Sequence, residues 1–319
     1  MLSLERVDVE PAVAPAPALS ALFEQMLLVR VLEAELEKLS NTGEVSDLHL
    51  NRGQEAIAIG VGAAIRPSDY FVVHHRTIAH AVAKGIPLYP LVAEILGKAD
   101  GVCGGMSGEM HLSWPRVRFM FSFQLVGTAI PIGAGVAWAS RHVKGEDAVT
   151  VVFHGDAATS NAQWHEGIGL AKIQRAPLLL VCENNHLAGN IRPDRYMPVQ
   201  SVAERAAGYG VKTAQVDGNR IDDVIEAARK AIAYVRHESL PFLLECDTTR
   251  LAWHKLGQRD IRGSEEMAEQ HKRDPVPYLA QLLSYDAERQ AACYARAQTV
   301  VGEVLGRARA AAPPTEPRP

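Results

Sequence analysis

GDAATSNAQWHEGIGLAKIQRAPLLLVCENN, residues 155–185, is the stretch that decides the fold. An apolar run from Ala148 to Phe153 leads into it, and a second apolar run, Pro177 to Cys182, lies within it. The segment between the two runs, residues 161–174, carries its apolar residues at helical spacing. The order strand, helix, strand predicts a βαβ unit in a parallel sheet.

Both predicted strands end in residues with side-chain oxygens. Asp156 follows the first strand and Asn185 follows the second. Because strand ends on one side of a crossover share a ligand-binding rim, we expect these side chains to converge. A carboxylate and an amide oxygen suit a cation such as Mg²⁺, which keeps its other coordination positions for phosphate oxygens. The alternative is an ordinary βαβ unit, in which Asp156 caps a helix and Asn185 occupies a turn.

Composition excludes several classes of protein. A formal charge of −4 and a pI near 6.3 provide no basic field for nucleic acid. A hydrophobic content of 47% is typical of a globular enzyme, and the sequence holds no apolar run of 18 residues that would span a membrane. We therefore expect neither a nucleic acid nor a membrane as partner.

Cysteine usage and the N-terminal residues indicate the compartment. The four cysteines are scattered, without a CxxC pair or a disulfide framework, so a reducing environment is expected. Residues 1–17 lack the basic and apolar parts of a signal peptide and are not rich in arginine like a transit peptide. The sequence therefore predicts a cytoplasmic protein.

The rest of the chain predicts one α/β domain over residues 18–311, with a mostly parallel sheet flanked by helices. Flexible segments are expected at 1–17 and 312–319. Further helices and strands are predicted by hydrophobic periodicity and end signals. These are a helix over 18–39, a strand over 211–216, a helix over 222–237 capped by Asp222, a strand over 241–246, a helix from Ser264 and a helical stretch over 276–311.

Gly155-Asp156-Ala157, then residues 158–183, then Asn184-Asn185 resemble the thiamine diphosphate (ThDP) fingerprint GDG…NN, with Ala157 in place of the last glycine. Five other segments, in the same order, resemble the α subunit of the E1 component of 2-oxo acid dehydrogenases of the pyruvate, branched-chain and acetoin types. They are HLNRGQEAIAIG (49–60), VHHRTIAHAVAKG (73–85), GVCGGMSGEMH (101–111), LVGTAIPIGAG (125–135) and TRLAWH (249–254).

The resemblance implies a site residue by residue. The metal ligands would be Asp156, Asn185 and the carbonyl of Leu187. Catalytic roles fall to His49 and His254. Contacts to ThDP fall to His75, Arg76, Gln124, Val126, Asp156, Ala157, Ala158, Asn185, Leu187 and His254. The structural alternatives are a surface arginine at position 76 and a structural histidine at position 49.

The chain departs from the family pattern at several of these positions. Ala157 and Gln124 stand where glycine is usual, His75 stands where pyruvate members often have tyrosine, and Trp253 and Lys255 flank the loop histidine. Ala157 adds only a methyl group, which is tolerable unless its φ is positive. The polar segment 253–264 predicts a mobile loop. His74, His75 and His80 lack the spacing of a zinc site.

The implied function is that of an E1α-like subunit, which binds Mg²⁺ and ThDP for decarboxylation of a small 2-oxo acid and acyl transfer to a lipoyl-bearing E2. A chain of 319 residues accommodates one ThDP-type domain. An E1 β subunit is therefore the expected partner, in an α2β2 heterotetramer. A variant with the same cofactor is acetoin cleavage or acyloin-type carbon–carbon chemistry without an E2.

Two other classes are weaker. An NAD-type oxidoreductase is disfavoured because no GxGxxG follows the first strand. A non-catalytic scaffold is disfavoured because the five residues that the resemblance assigns to the site's chemistry are retained together: His49, Arg76, Asp156, Asn185 and His254.

Overall fold

The computed structural model describes residues 18–46, 48–258 and 260–315. At its centre lies a sheet of six strands, ordered β2-β1-β3-β4-β6-β5, in which every paired strand runs parallel to its neighbour. This confirms the predicted α/β class. The strands are β1 (Tyr70–His74), β2 (Phe119–Phe123), β3 (Thr150–Gly155), β4 (Leu178–Asn184), β5 (Lys212–Asp217) and β6 (Phe242–Asp247).

Helices cover both faces of the sheet. Those in the described residues are α1 (Leu19–Asn41), α2 (Glu55–Ala64), α3 (Ile78–Ala83), α4 (Leu88–Ile95), α5 (Ala129–His142), α6 (Ala162–Ile173), α7 (Val202–Ala207), α8 (Ile221–Glu238), α9 (Ser264–His271), α10 (Pro275–Leu282) and α11 (Ala287–Ala310). Apart from α9, which has no buried residue, each helix buries apolar side chains on the strands or on a neighbouring helix.

Two apolar cores lie on opposite faces of the sheet. On β3, Val151 and Phe153 face the core formed with α1, α2 and α8, whereas Val152 faces the core formed with α5 and α6. Successive strand side chains point to opposite faces, so a strand with both faces covered must be apolar at every position. This explains the unbroken apolar runs in the sequence.

The βαβ unit predicted from residues 148–185 is confirmed. Its helix, α6, begins after Asn161, whose side-chain oxygen accepts a hydrogen bond from the Gln163 N–H at 2.9 Å. This bond satisfies one of the free donors of the first turn. The helix then leads into β4, which pairs directly with β3.

The prediction that Asp222 caps its helix was wrong. α8 begins one residue earlier, with Arg220 at the cap position and no capping bond from its side chain. Asp222 lies in the first turn, where a carboxylate favours the helix dipole. It accepts a hydrogen bond from the Tyr278 hydroxyl at 2.9 Å instead.

The helical stretch predicted over residues 276–311 is two helices rather than one. The chain turns between α10 and α11, where Ser284 takes a positive φ of 54°. Asp286 then starts α11 by accepting the Arg289 N–H at 2.8 Å. The capping aspartate was the sequence signal for this break.

The predicted flexible ends fall largely outside the described residues, since 1–17 and 316–319 are not among them. Ala312, the first residue of the predicted tail, accepts a hydrogen bond from the Ala99 N–H at 3.0 Å. Among the described helices, none combines the length and apolarity that a bilayer crossing requires.

One glycine sets how closely α5 approaches the sheet. A Cβ added at Gly133 would lie 2.0 Å from Cγ2 of Val152 on β3. Gly135, on the exposed side of the same helix, has open space around the equivalent position. Alanine substitutions at these two positions therefore separate the effect of packing from that of intrinsic helix propensity.

We predict opposite effects of alanine at these two glycines. Gly133→Ala should destabilise the isolated chain by roughly 1–3 kcal/mol, because the methyl group overpacks the α5–β3 contact. Gly135→Ala should stabilise it by up to about 1 kcal/mol, the helix preference of alanine over glycine. Urea unfolding followed by circular dichroism measures both. Equal effects of the two substitutions would contradict the packing argument.

Candidate functional site

A cleft of about 870 Å³, measured to its open mouth, lies at the carboxyl ends of the central strands. The register of β3 and β4 pairs Gly155 with Glu183, so the residues that follow both strands reach the same edge. Nine of the sequence-predicted residues line this cleft: His75, Arg76, Val126, Asp156, Ala157, Ala158, Asn185, Leu187 and His254. Two do not, since His49 and Gln124 are not among its described lining residues.

Asp156 is one of two buried carboxylates among the described residues that line the cleft, with an exposed fraction of 1%. Burial raises its pKa, although the Tyr196 hydroxyl, which donates a hydrogen bond to Oδ2, acts in the opposite direction. A buried carboxylate with few donors is costly, and a cation beside it would offset that cost. The site therefore favours a positive ligand at this point.

The two asparagines build the turn after β4. Oδ1 of Asn184 accepts the His186 N–H, and Oδ1 of Asn185 accepts the Leu187 N–H, both at 3.1 Å. His186, which follows them, takes a backbone φ of 59°, a conformation that residues other than glycine adopt rarely. The side-chain bonds stabilise this strained turn.

Gln54 fixes the orientation of the Asn185 amide. Nδ2 of Asn185 donates to Oε1 of Gln54 at 2.8 Å, and the Leu187 N–H, which can only donate, identifies the Oδ1 that accepts it as the oxygen. Asp156 and Leu187 line the same cleft, and their carboxylate and carbonyl, with this amide, are oxygen groups of the kind that hold a hard cation.

Ala157 does not carry the strain that its departure from glycine could have caused. Among the described non-glycine residues with a positive φ, Ala157 is absent. Its backbone therefore lies in a region open to any residue. Gly155, just before it, has open space where a Cβ would lie.

Two buried arginines form the cationic side of the cleft. Arg76 donates from Nη1 to the Leu50 carbonyl at 2.9 Å and from Nη2 to the His254 carbonyl at 3.0 Å. Arg250 donates to the carbonyls of Gly189 and Ala252. Burial lowers the pKa of Arg76 to about 10 and that of Arg250 to about 9, so both stay charged at neutral pH. An anion between them would relieve this cost.

His49, His75 and His254 form a second feature, the histidine cluster. The ring of His49 lies edge-on to His75 at 4.6 Å and to His254 at 5.3 Å between centroids. One nitrogen from each ring lies within 4.8 Å of the others. Burial, followed by the charge of Arg76, lowers the pKa of His254 to about 4 and holds that of His75 well below its usual range. His75 and His254 are therefore neutral at pH 7.

The tautomer of His254 follows from its partner. Nη2 of Arg76 lies 3.2 Å from Nδ1 of His254, and an arginine can only donate, so Nδ1 accepts. The neutral ring then carries its proton on Nε2 and is a hydrogen-bond donor. This arrangement, beside two guanidinium groups, disfavours a metal cation at the histidine cluster.

His74 and His80 belong to a different group, with Glu183. Oε2 of Glu183 lies 3.1 Å from Nε2 of His74, and Oε1 lies 2.7 Å from Nε2 of His80. Burial alone would raise the pKa of Glu183, but the two imidazoles lower it well below its usual range. Glu183 lines the cleft with its carboxylate already engaged.

Several contributors were missed from sequence. Gln54, Tyr196, Arg250 and Glu183 are brought to the cleft by contacts across long stretches of chain. The signal for Gln54 and Arg250 was present, since both lie in the quoted segments 49–60 and 249–254. Nothing in the sequence pattern indicated Tyr196.

The segment predicted to be a mobile loop contains a buried anchor. Nη2 of Arg262 lies 2.5 Å from Oδ2 of Asp260, and its guanidinium also donates to the carbonyls of Arg250 and Ala252. Arg262 is 7% exposed. These bonds tie residues 260–262 to the strand-end segment that holds His254.

Comparisons with known proteins agree with the geometry. The family described as dehydrogenase E1 component matches residues 24–311. A pyruvate dehydrogenase E1 component subunit α-3 of Oryza sativa subsp. japonica, a chloroplastic protein, is 30% identical over 298 residues, which cover 86% of this chain and 70% of the relative. The α subunit of the acetoin:2,6-dichlorophenolindophenol oxidoreductase of Bacillus subtilis (strain 168) is 33% identical over 252 residues, covering 78% and 75%. The pyruvate dehydrogenase E1 component subunit α of Porphyra purpurea is 31% identical over 269 residues, covering 82% and 78%.

His154, which also lines the cleft, makes a testable contribution to acid stability. It is 1% exposed, and its Nε2 has no partner among the described residues. Burial lowers its pKa from 6.5 to about 4. The unfolded chain therefore binds this proton at a higher pH than the folded chain does. The contribution of His154 to the free energy of unfolding is therefore complete above pH 6.5 and is lost as the pH falls toward 4.

We predict that His154→Gln reduces the acid sensitivity of the isolated chain. Between pH 6.5 and 4 the wild type should lose about 3 kcal/mol more unfolding free energy than the variant, at roughly 1.4 kcal/mol per pKa unit. Urea titrations at several pH values measure this difference. His237→Gln, which removes an exposed histidine at the end of α8, is the control. A parallel pH dependence of wild type and His154→Gln would refute the assignment.

Proposed function

Since the chain belongs to the dehydrogenase E1 component family and is similar to its α subunits, we propose that it binds Mg²⁺ and ThDP and takes part in decarboxylating a 2-oxo acid. In this proposal the acyl group passes to a lipoyl-bearing E2. We further propose a cytoplasmic location, supported by four cysteines that are all free.

The observation that carries the proposal is the pairing of two opposite charge environments in one cleft. Oxygen ligands of Asp156, Asn185 and Leu187 stand at the ends of β3 and β4, and the guanidinium groups of Arg76 and Arg250 line the same cleft. A diphosphate bridged by Mg²⁺ presents a cation to the first group and anionic oxygens to the second. The residues present therefore fit the cofactor.

Unpartnered polar atoms at the cleft support the same fit. Nε2 of His75 and Nε2 of Gln54 are buried and have no hydrogen-bond partner among the described residues. Buried polar atoms in native proteins are nearly always paired, with protein, water or ligand. A polar ligand in the cleft would satisfy them.

We assign the roles as follows. Asp156, Asn185 and the Leu187 carbonyl hold the metal. Arg76 and His254 face the diphosphate, and His75 and Val126 meet the rest of the cofactor. Ala157 and Ala158, in the turn after β3, contact it through their backbone. Gln124 is exposed and is not among the described lining residues of the cleft. We therefore limit its role to the backbone next to Val126.

ThDP, when bound, supplies a carbon nucleophile and an electron sink for the decarboxylation. The chain supplies position and proton control. His254, with its proton on Nε2 and a pKa of about 4, is a neutral hydrogen-bond donor that can bind an anionic oxygen at pH 7. His49 lies next to it in the histidine cluster, and we propose that His254 acts catalytically as this donor and His49 as the proton-transfer group.

The cleft is short of one carboxylate for this chemistry. Its described lining residues include two, Asp156 and Glu183, and both already have roles, one at the metal and one bound to His74 and His80. In the E1 enzymes that this chain resembles, the carboxylate that contacts the aminopyrimidine ring of ThDP comes from a β subunit. We therefore propose an α2β2 assembly in which the partner completes the site.

Acyloin cleavage with the same cofactor is the second candidate. The Bacillus subtilis relative, whose name includes acetoin and an artificial electron acceptor, is 33% identical. His75, neutral and with an unpartnered Nε2, offers the cleft a site for a substrate hydroxyl group. A panel of pyruvate, branched 2-oxo acids and acetoin, each with a lipoyl domain or 2,6-dichlorophenolindophenol as acceptor, distinguishes the two functions.

We predict that Asp156→Asn lowers Mg²⁺-dependent ThDP affinity by more than about 100-fold, since loss of a direct ligand exceeds the 10–100-fold effect of outer groups. The amide keeps the shape and a hydrogen-bonding group beside Tyr196, so the fold should persist. Calorimetry with the β subunit present measures the affinity. The control is Asp194→Asn, which changes an exposed carboxylate two residues before Tyr196. This variant should bind Mg²⁺ and ThDP as the wild type does. Unchanged affinity in Asp156→Asn would exclude Asp156 as the metal ligand.

We also predict that the purified chain alone does not turn over 2-oxo acids and gains activity when an E1 β-type subunit is added. The reason is the missing carboxylate in the cleft. A titration of the β subunit should give activity that saturates at one β per α chain. Turnover by rigorously isolated chain would show that the cleft is complete without a partner.

A further inference from the structure

Three buried carboxyl groups hold one backbone segment beside the cleft. The N–H of His49 donates to Oε2 of Glu109 at 3.0 Å, the N–H of Asn51 donates to Oε1 of Glu33 at 2.6 Å, and the N–H of Gly53 donates to Oε2 of Glu55 at 2.8 Å. The three N–H groups belong to residues 49, 51 and 53, in the loop and turn that lead into α2, where the Gln54 N–H donates to the Asn51 carbonyl at 2.7 Å.

The three carboxyl groups differ in how their charge is compensated. Glu55 forms an ion pair with Arg30, whose Nε lies 2.6 Å from it. Glu33 and Glu109 form no ion pair among the described residues, and Oε2 of Glu33 and Oε1 of Glu109 each lack a hydrogen-bond partner there. A buried carboxylate without compensation is costly, so both groups are favoured as neutral acids.

Glu109 is the member that reaches the histidine cluster. It is 5% exposed and lies at the end of the glycine-rich loop 101–108. Its own carbonyl accepts a hydrogen bond from the Thr77 hydroxyl at 2.6 Å, next to Arg76. Its side chain holds the backbone of His49, whose ring packs on His75 and His254. A shift of this one N–H would move the imidazole that supports the other two.

The charged groups that face Glu109 come from three elements. Burial raises its pKa well above the usual range and Glu33 on α1 acts in the same direction, whereas the His49 N–H and the Arg76 guanidinium oppose them. Burial dominates. The neutral form of the Glu109 carboxyl is therefore favoured more than it is for an exposed glutamate.

We propose that Glu109 is a positioning residue for the histidine cluster, which it orients by accepting the backbone N–H of His49. This inference rests on the proposed function for its catalytic consequence. Its side chain holds His49 in place through this backbone contact, and an ionised carboxylate there would put a buried negative charge next to His49.

The first test needs no catalysis. The full chain is labelled with ¹³C-histidine, and the His49 imidazole signal, identified by its loss in His49→Gln, is titrated by NMR. Glu109→Ala should move the titration midpoint of His49 by about half a pH unit or more, because the ring is no longer held against His75 and His254. Glu109→Gln, which still offers an amide oxygen to the N–H, should leave the midpoint unchanged.

Glu33→Gln is the matched control. It alters the same kind of buried carboxyl, held to the same segment two residues away, and should not change the His49 titration. If Glu109→Ala leaves the His49 midpoint where it was in a folded protein, the proposal is overturned. If Glu33→Gln and Glu109→Gln both shift it as much as Glu109→Ala, the network is merely structural and the proposal is again wrong.

The second test uses the αβ complex. Glu109→Ala should lower kcat by about tenfold with KM nearly unchanged, the size expected for a displaced proton-transfer group. Glu109→Gln, which still offers an oxygen to the His49 N–H, should match the wild type. A kcat in Glu109→Gln as low as that in Glu109→Ala would contradict the role of this hydrogen bond.

The two tests separate this proposal from the proposed function. A complex without any 2-oxo acid or acetoin turnover, combined with the expected NMR shifts, would remove the proposed function and leave the role of Glu109 in place. Normal turnover with no NMR shift and no kinetic effect in Glu109→Ala would remove the role of Glu109 and leave the proposed function in place.

Discussion

The rest of the site depends on the parallel register of β3 and β4. Because Gly155 pairs with Glu183, the turn that carries Asp156 and the turn that carries Asn185 leave the sheet side by side. Both strands are buried on both faces, so neither can slide without moving a full row of apolar side chains into the wrong core. The separation of the two turns that carry Asp156 and Asn185 is thus set by the two cores.

The cleft concentrates buried polar groups whose costs oppose one another. Asp156 is buried with a single side-chain donor, and Arg76 and Arg250 are buried with only carbonyls and one imidazole as acceptors. Each alone is destabilising, and none is paired with another across the cleft. A ligand with a cation at one end and anionic oxygens at the other would compensate all three.

The sequence was sufficient to predict the site residues that lie at strand ends and within contiguous segments. The βαβ unit, the parallel sheet and the convergence of Asp156 and Asn185 follow from apolar runs and their polar ends, whereas the other seven predicted residues in the cleft follow from the family resemblance. It was insufficient where a contact joins distant segments. Tyr196 reaches Asp156 from 40 residues away, and Glu109 reaches His49 from 60 residues away. Hydrophobic periodicity carries no information on such pairs, because they depend on how loops cross the end of the sheet.

Arg76 shows why a residue's role cannot be read from its type alone. A buried arginine after a strand predicts a grip on phosphate, yet part of its donor set is spent on Leu50 and His254. That use is not a competing function. By donating to Nδ1 of His254 it fixes the proton of that ring on Nε2, and by donating to the Leu50 carbonyl it holds the segment whose N–H groups Glu109 and Glu33 accept. The guanidinium therefore links the cationic side of the cleft to the geometry of the histidine cluster, and a change in one must alter the other.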